Sequence, residues 1–380
     1  MSKNKGLHLR EIACVFFKLG MFAFGGPAAH IALMEDEIIQ KRKWLTQQEF
    51  LDLIGATNLI PGPNSTEMTM HCGYKRGGVL GLFTAGFAFI FPAVVITLLL
   101  AYLYVEFGEL PDVKPFILGI TPAVLAIICS AIYKLGKKAL KSWELGLIGS
   151  FVLIASLCGM NEIMALLIGG VAGAFYFVLK NRAGKTLNSI NLLFLLGSMS
   201  LKNVASIGTL KIFITFLKVG SILYGSGYVL FAYLKPELVD AGLLSITELT
   251  DAIGVGQFTP GPVLSTATFI GYQLGGFTGA LAATLGIFLP SFILVWIFHD
   301  YMLKMRQIKI LGYFLDAVNI SAVAVMVAVL ISMTRESLIS WQAIIIALCA
   351  FCYTFFTKKP NPILTILGGS ILGWFLFTNF

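Results

Sequence analysis

Two Pro-Gly-Pro triplets, Pro61-Gly62-Pro63 and Pro260-Gly261-Pro262, each interrupt an apolar stretch that a helix cannot continue through. Proline suits the first position of a helix, where the N–H it lacks would be unpaired anyway, so Pro63 and Pro262 each predict a new helix start. The first amides of those helices belong to Asn64, Ser65 and Thr66 and to Val263, Leu264 and Ser265. Such amides have no partner within their own helix, and the helix dipole adds partial positive charge there. Two such ends facing each other would hold an anion. A surface turn is the alternative reading of either triplet alone, but two copies at matched positions favour the site.

Charged and titratable residues surround this motif. Lys18 and Lys218 fall at equivalent positions in apolar segments. Each either faces an anion pathway or extends its amine to a membrane surface. Glu67 lies in the first turn after Pro63, where it either stabilises the helix end or binds a proton and couples it to anion movement. His30 and His71 are candidates for the same proton role, because imidazole titrates near neutral pH; a structural histidine is the alternative for each. Asp316 and Asn319 stand one helical turn apart in an apolar segment, to line a pathway or to bond between helices.

The elements that carry these residues are membrane spans. Hydrophobic residues make up 57% of the 380 positions and charged ones only 12%, with a mean hydropathy of +0.87. A soluble domain has roughly a quarter charged residues. Secreted disulfide scaffolds, disordered tails and soluble nucleic-acid binders are thereby excluded. The net charge of +8 lies in short connections between apolar runs, the pattern of the positive-inside rule and not of a nucleic-acid partner. The N-terminal segment lacks a cleavable signal pattern. Six cysteines fall almost entirely within apolar segments and read as small hydrophobes, and four histidines argue against a metal centre. No cofactor motif is present.

Long apolar runs at 79–104, 115–133, 212–233, 277–298, 310–333, 338–356 and 363–380 are each expected to span, with shorter runs at 145–160 and 163–179 forming a hairpin. Residues 12–34 are a further candidate span. In all, about 12–13 spans are expected. The class is all-α, because neither the lengths nor any period-2 alternation fits a β-barrel.

The segments 45–74 and 244–272 are too polar for lipid-facing helices, and their shared pattern exposes an internal repeat at an offset of about 199 residues. Glu49, Asp52 and Gly55 match Glu248, Asp251 and Gly254; Pro92 matches Pro290; Trp143 aligns with Trp341. Basic residues change sides between the repeats: the four lysines of 134–141 face a counterpart with only Arg335, and Lys75-Arg76 aligns with Gln273-Leu274. Two inverted-topology repeats, 1–185 and 211–380, are therefore expected, joined by a linker at 186–210 with a short span at 190–201. Broken helices in such repeats place a substrate near the bilayer midplane.

The string from Phe24-Gly25-Gly26-Pro27 through His30 and Glu35 to Asn58-Leu59-Ile60-Pro61-Gly62-Pro63-Asn64-Ser65-Thr66-Glu67 resembles the chromate ion transporter family. Gly254-Val255-Gly256-Gln257-Phe258-Thr259-Pro260-Gly261-Pro262 is similar to that family's C-terminal repeat. The resemblance covers both halves, as in the two-repeat form. It implies a multi-pass plasma-membrane protein that exports chromate, a tetrahedral dianion, and confers resistance to it. It also implies binding positions at Gly25, Gly26, His30, Asn58, Gly62, Asn64, Ser65 and Thr66, with Gln257, Gly261 and Ser265 opposite, and adds Glu35 to Glu67 and His71 as proton-coupling candidates. The second half departs from the first, with Ser226-Gly227 for Gly26-Pro27 and Val263-Leu264 for Asn64-Ser65, so the polar load falls on the first. Sulfate or another oxyanion remains open as substrate, as does a homodimer; a channel or a membrane reductase of metal oxyanions is a rival reading.

Overall fold

The computed structural model describes residues 2–23, 27–57, 59–181, 208–224, 229–301, 308–357 and 360–379. All regular structure among them is helical. The first half contains α1 (Ser2–Phe22), α2 (Pro27–Glu35), α3 (Gln47–Thr57), α4 (Asn64–Phe107), α5 (Lys114–Leu118), α6 (Ile120–Ala139), α7 (Trp143–Leu157) and α8 (Glu162–Asn181). The second contains α9 (Thr209–Ile222), α10 (Leu230–Leu234), α11 (Ile246–Phe258), α12 (Thr266–Phe298), α13 (Lys309–Ser337), α14 (Trp341–Phe356) and α15 (Pro362–Asn379). The order of elements repeats, down to a π-helical turn after α2 and another after α10.

Matched local signals build matched elements. Thr46 and Glu49 exchange backbone-to-side-chain hydrogen bonds at the start of α3, at 2.9 and 3.2 Å. Ser245 and Glu248 make the same capping box before α11. Both α4 and α12 then fold back on themselves at a glycine of positive φ, Gly78 (63°) and Gly276 (59°). The reversal needs backbones in contact: a Cβ on Gly73 would lie 2.3 Å from the carbonyl oxygen of Gly81, and one on Gly271 would lie 2.4 Å from that of Gly279. The hydroxyls of Thr268 and Thr284, sixteen residues apart, meet at 2.8 Å.

Each repeat thus holds a re-entrant hairpin. The chain enters along α3 or α11, breaks at Pro-Gly-Pro, and returns along 64–77 or 263–275 before a full crossing begins. Lys75 and Glu49 approach to 3.9 Å at the open end of the first hairpin. Polar backbone in mid-membrane is tolerated only where protein covers it, and these hairpins are covered.

The crossing segments of α4 and α12 show how the halves are oriented. Phe87 stacks on Phe292 at 4.9 Å, while Phe83 meets Trp296 at 6.4 Å, so numbering rises along one helix as it falls along the other. Equivalent helices run antiparallel, and the two repeats are inverted. Their outer faces carry exposed apolar side chains at helical spacing: Phe87, Phe91, Val95 and Leu99 on α4, Phe277, Leu281 and Leu285 on α12.

Each repeat also lends its last two helices to the other. Helices α7 and α8 pack against α13, while α14 and α15 pack against α6. Small residues allow the crossings, with Gly173 against Ala317 and Gly119 against the backbone of Gly369.

Three expectations change. Residues 12–34 are not one span, because α1 ends at Phe22 and a separate α2 begins at Pro27. Residues 212–233 divide likewise between α9 and α10. Among the described residues, six helices are long and apolar enough to cross a membrane, and α7 and α14 are shorter apolar helices. The expected linking span at 190–201 lies outside the described residues.

Gly73→Leu is expected to block the fold-back in α4, at the upper end of the roughly 1–3 kcal/mol that overpacking costs. Thermal denaturation in detergent measures this, with Gly368→Ala as control, since nothing lies within 4 Å of a Cβ there.

Candidate functional site

The two Pro-Gly-Pro tips are bound by reciprocal hydrogen bonds. Gly62 donates its N–H to the carbonyl of Leu223, at the end of α9, at 2.7 Å. Gly261 donates to the carbonyl of Ala23, just past α1, at 3.0 Å. Each tip therefore caps the broken first helix of the opposite repeat. A Cβ on Gly261 would lie 2.9 Å from that of Ala93, which stands about 20 Å along the crossing part of α4. That depth is mid-bilayer.

A cavity of about 670 Å³ opens beside the first tip. Ile54, Thr57, Ile60 and Asn64 form one wall; Ser130, Lys134 and Lys138 on α6 form another; Asp316 and Asn319 on α13 form a third. Lys141, also on the lining, pairs with Asp316 at 2.6 Å and so joins the repeats across the cavity. Asn64 opens the returning half-helix, so the positive end of that helix meets the cavity. Basic side chains outnumber acidic ones three to one on the lining, and the single acid is already paired. A small anion fits this chemistry.

The structure brings only some of the expected residues here. Asn64 lines the cavity, with Ser65, Thr66 and Glu67 buried directly behind it. Gln257, Gly261 and Ser265 are not on its lining; Ser265 accepts a hydrogen bond from Thr97 at 3.2 Å. Lys18 and Lys218 also lie off the lining, both exposed on their helices, and Lys218 pairs with Glu237 at 2.5 Å. His30 is buried and donates from Nε2 to the carbonyl of Ala23 at 3.0 Å, securing the same oxygen that holds Gly261. Glu35 accepts from Gln47 at 2.7 Å. Gly25, Gly26 and Asn58 lie outside the described residues, as do Ser226 and Gly227.

Four residues or groups carry more than their sequence signal suggested. The lysines of 134–141 read as a marker of membrane side, yet the spacing of Lys134 and Lys138 places both on one face of α6, toward the cavity. His299 meets His71 with their Nδ1 atoms 2.7 Å apart, one of which must donate. Asp251 is buried and accepts from Tyr104 at 2.7 Å and from Thr121 at 2.6 Å, both on the opposite repeat. Its only sequence signal was its match to Asp52.

A membrane protein of two inverted repeats, with a basic cavity at a broken helix, has the construction of an anion carrier. The chromate transporter family model matches residues 10–174 and again 210–374. The chain belongs to the chromate transporter family. It is 30% identical to a chromate transport protein of Pseudomonas aeruginosa, over 96% of this chain and 91% of that one. A chromate transport protein of Cupriavidus metallidurans is 27% identical, over 96% and 92% respectively. The uncharacterized transporter YwrB of Bacillus subtilis aligns 90% of its own length with 46% of this chain, at 28% identity. No solved structure matches. The two family matches coincide with the two structural repeats, so the transporter's inverted halves are copies of one module.

Asp251→Ala would leave the Tyr104 and Thr121 hydroxyls of the transporter unpaired. It is expected to cost about 2–3 kcal/mol of stability, measured by thermal denaturation in detergent.

Proposed function

We propose that this protein exports chromate, or a tetrahedral divalent oxyanion of the same shape, from the cytoplasm by alternating access. The observation that carries the reading is the basic cavity ending at Asn64. Lys134, Lys138 and Lys141 lie toward the end of α6 that the positive-inside rule assigns to the cytoplasm, so the cavity is open on the side from which export starts. The lysines draw the dianion inward, and the amide end of the half-helix at Asn64 receives it near mid-membrane. The Lys141–Asp316 pair closes across the cavity between repeats, and a bound dianion competes with Asp316 for the lysine. One repeat then rocks against the other, driven by an ion gradient across the plasma membrane.

The named activity of the Pseudomonas and Cupriavidus relatives supports chromate as the cargo. In this reading the anion crosses unchanged, and the protein is a carrier and not an enzyme.

Everted membrane vesicles test the proposal: chromate should accumulate in them saturably, still in its original oxidation state. Appearance of trivalent chromium would support a reductase instead. Competition by excess sulfate would make the site one for tetrahedral dianions in general. Lys134→Ala with Lys138→Ala is expected to raise KM by about tenfold, the equivalent of about 1.4 kcal/mol, and to flatten its dependence on ionic strength. Unchanged KM in that variant would remove the lysine wall from the pathway.

A further inference from the structure

Behind Asn64, the buried interior holds polar atoms that the anion site does not use. Glu67 has no exposed surface, and neither of its carboxyl oxygens has a hydrogen-bond or ion-pair partner among the described residues. Ser291 Oγ, from the opposite repeat, is equally buried and without a partner there. The two meet over the bare face of Gly62: a Cβ at that glycine would lie 2.1 Å from Glu67 Oε1 and 2.2 Å from Ser291 Oγ. The positive φ of Gly62 (142°) makes this approach possible.

The second repeat shows that the fold does not require an acid here. Thr266 occupies the position of Glu67, and its hydroxyl donates to the carbonyl of Val263 at 2.7 Å. Ala93 occupies the position of Ser291 and packs over Gly261. The carboxyl and its facing hydroxyl thus occur together at one tip and are both replaced at the other. They occur at the tip that borders the cavity.

We propose that Glu67 is the proton-binding group of the transport cycle, taking up a proton when a divalent oxyanion occupies the cavity beside Asn64. The inference rests on the cavity being an oxyanion site. Glu67 follows Asn64 by three residues, about 5 Å along the helix axis. An unpaired carboxylate is unfavourable in a buried site, and a dianion so close adds repulsion. Both effects favour the neutral acid when the anion is bound. The proton arrives from solvent and bonds to a Glu67 oxygen, and the resulting O–H donates to Ser291 Oγ. Coupling is reciprocal, so a protonated Glu67 tightens anion binding to the same degree that the anion tightens proton binding.

Other titratable groups on the surrounding elements have different engagements. His71, on the same half-helix, meets His299 of α12, and His30 of α2 bonds the carbonyl of Ala23. Tyr224 stands just past α9, and its backbone N–H meets the Tyr233 hydroxyl at 3.5 Å. Lys134, Lys138 and the Lys141–Asp316 pair line the far walls of the cavity. None of them forms an ion pair with Glu67.

Calorimetry of chromate binding to the purified full chain in detergent tests this. It is run at alkaline pH, where chromate itself holds no proton, in two buffers of different ionisation enthalpy. The wild type should take up close to one proton per anion, and its affinity should fall by up to tenfold per pH unit as Glu67 loses its proton. Glu67→Gln should bind chromate with no proton uptake and a flat pH profile, whereas His71→Gln should keep both. Should Glu67→Gln fail to fold, Ser291→Ala is expected to move the midpoint of the profile and keep its slope. Chromate binding without proton uptake in the wild type overturns the inference alone, as does uptake that survives in Glu67→Gln, or a Ser291→Ala midpoint that stays in place. Absence of chromate binding in the wild type rejects the cavity reading, and the inference with it.

Discussion

A polypeptide that breaks its helices inside a bilayer must satisfy the freed backbone groups with protein, because lipid offers no hydrogen bonds. Here two reciprocal bonds meet that demand, Gly62 N–H to Leu223 and Gly261 N–H to Ala23. Each joins the tip of a re-entrant hairpin to the end of a broken helix in the other repeat. Each repeat therefore relies on the other to satisfy backbone groups at its break. Glycine is required at the centre of each triplet on two grounds: both positions have positive φ, and a side chain would collide with the opposite repeat.

The same bonds place the tips where function needs them. Capping the end of α9 brings Gly62 over Ser291, and capping the end of α1 brings Gly261 beside Ala93. On this symmetric frame the side chains differ. The first tip presents Asn64 to a cavity and buries Glu67 behind it; at the second, Val263, Leu264 and Thr266 are all buried. Duplication supplied the scaffold, and divergence gave its two tips different side chains. Asp251, through its bonds to Tyr104 and Thr121, ties α11 to the opposite repeat away from the cavity.

Much of this was legible in the chain. Proline and glycine act locally, so the breaks at 61–63 and 260–262 could be read without a fold, as could the matched Thr46–Glu49 and Ser245–Glu248 caps. Inversion was legible because topology is written in charge, and lysines in connecting segments report which side they face. Asn64 and Glu67 stood out for the same local reason, as neighbours of a predicted helix start. The lysine pair Lys18 and Lys218 lies off the cavity lining. Symmetric repetition in an apolar helix does not tell which face is lipid or solvent and which is cavity, and both amines point outward.

By itself the sequence determined the helical class, the duplicated inverted plan and the location of the breaks, since each follows from hydropathy, backbone stereochemistry or charge within a short window. Tertiary structure decided which residues share a surface. Lys134 and Lys138 join Asn64 only because α6 lines the same cavity as the first tip, and Glu67 meets Ser291 only because the repeats interlock. Partners this far apart in the chain are set by packing, and no local pattern of residue types encodes which side chains packing will leave facing one another.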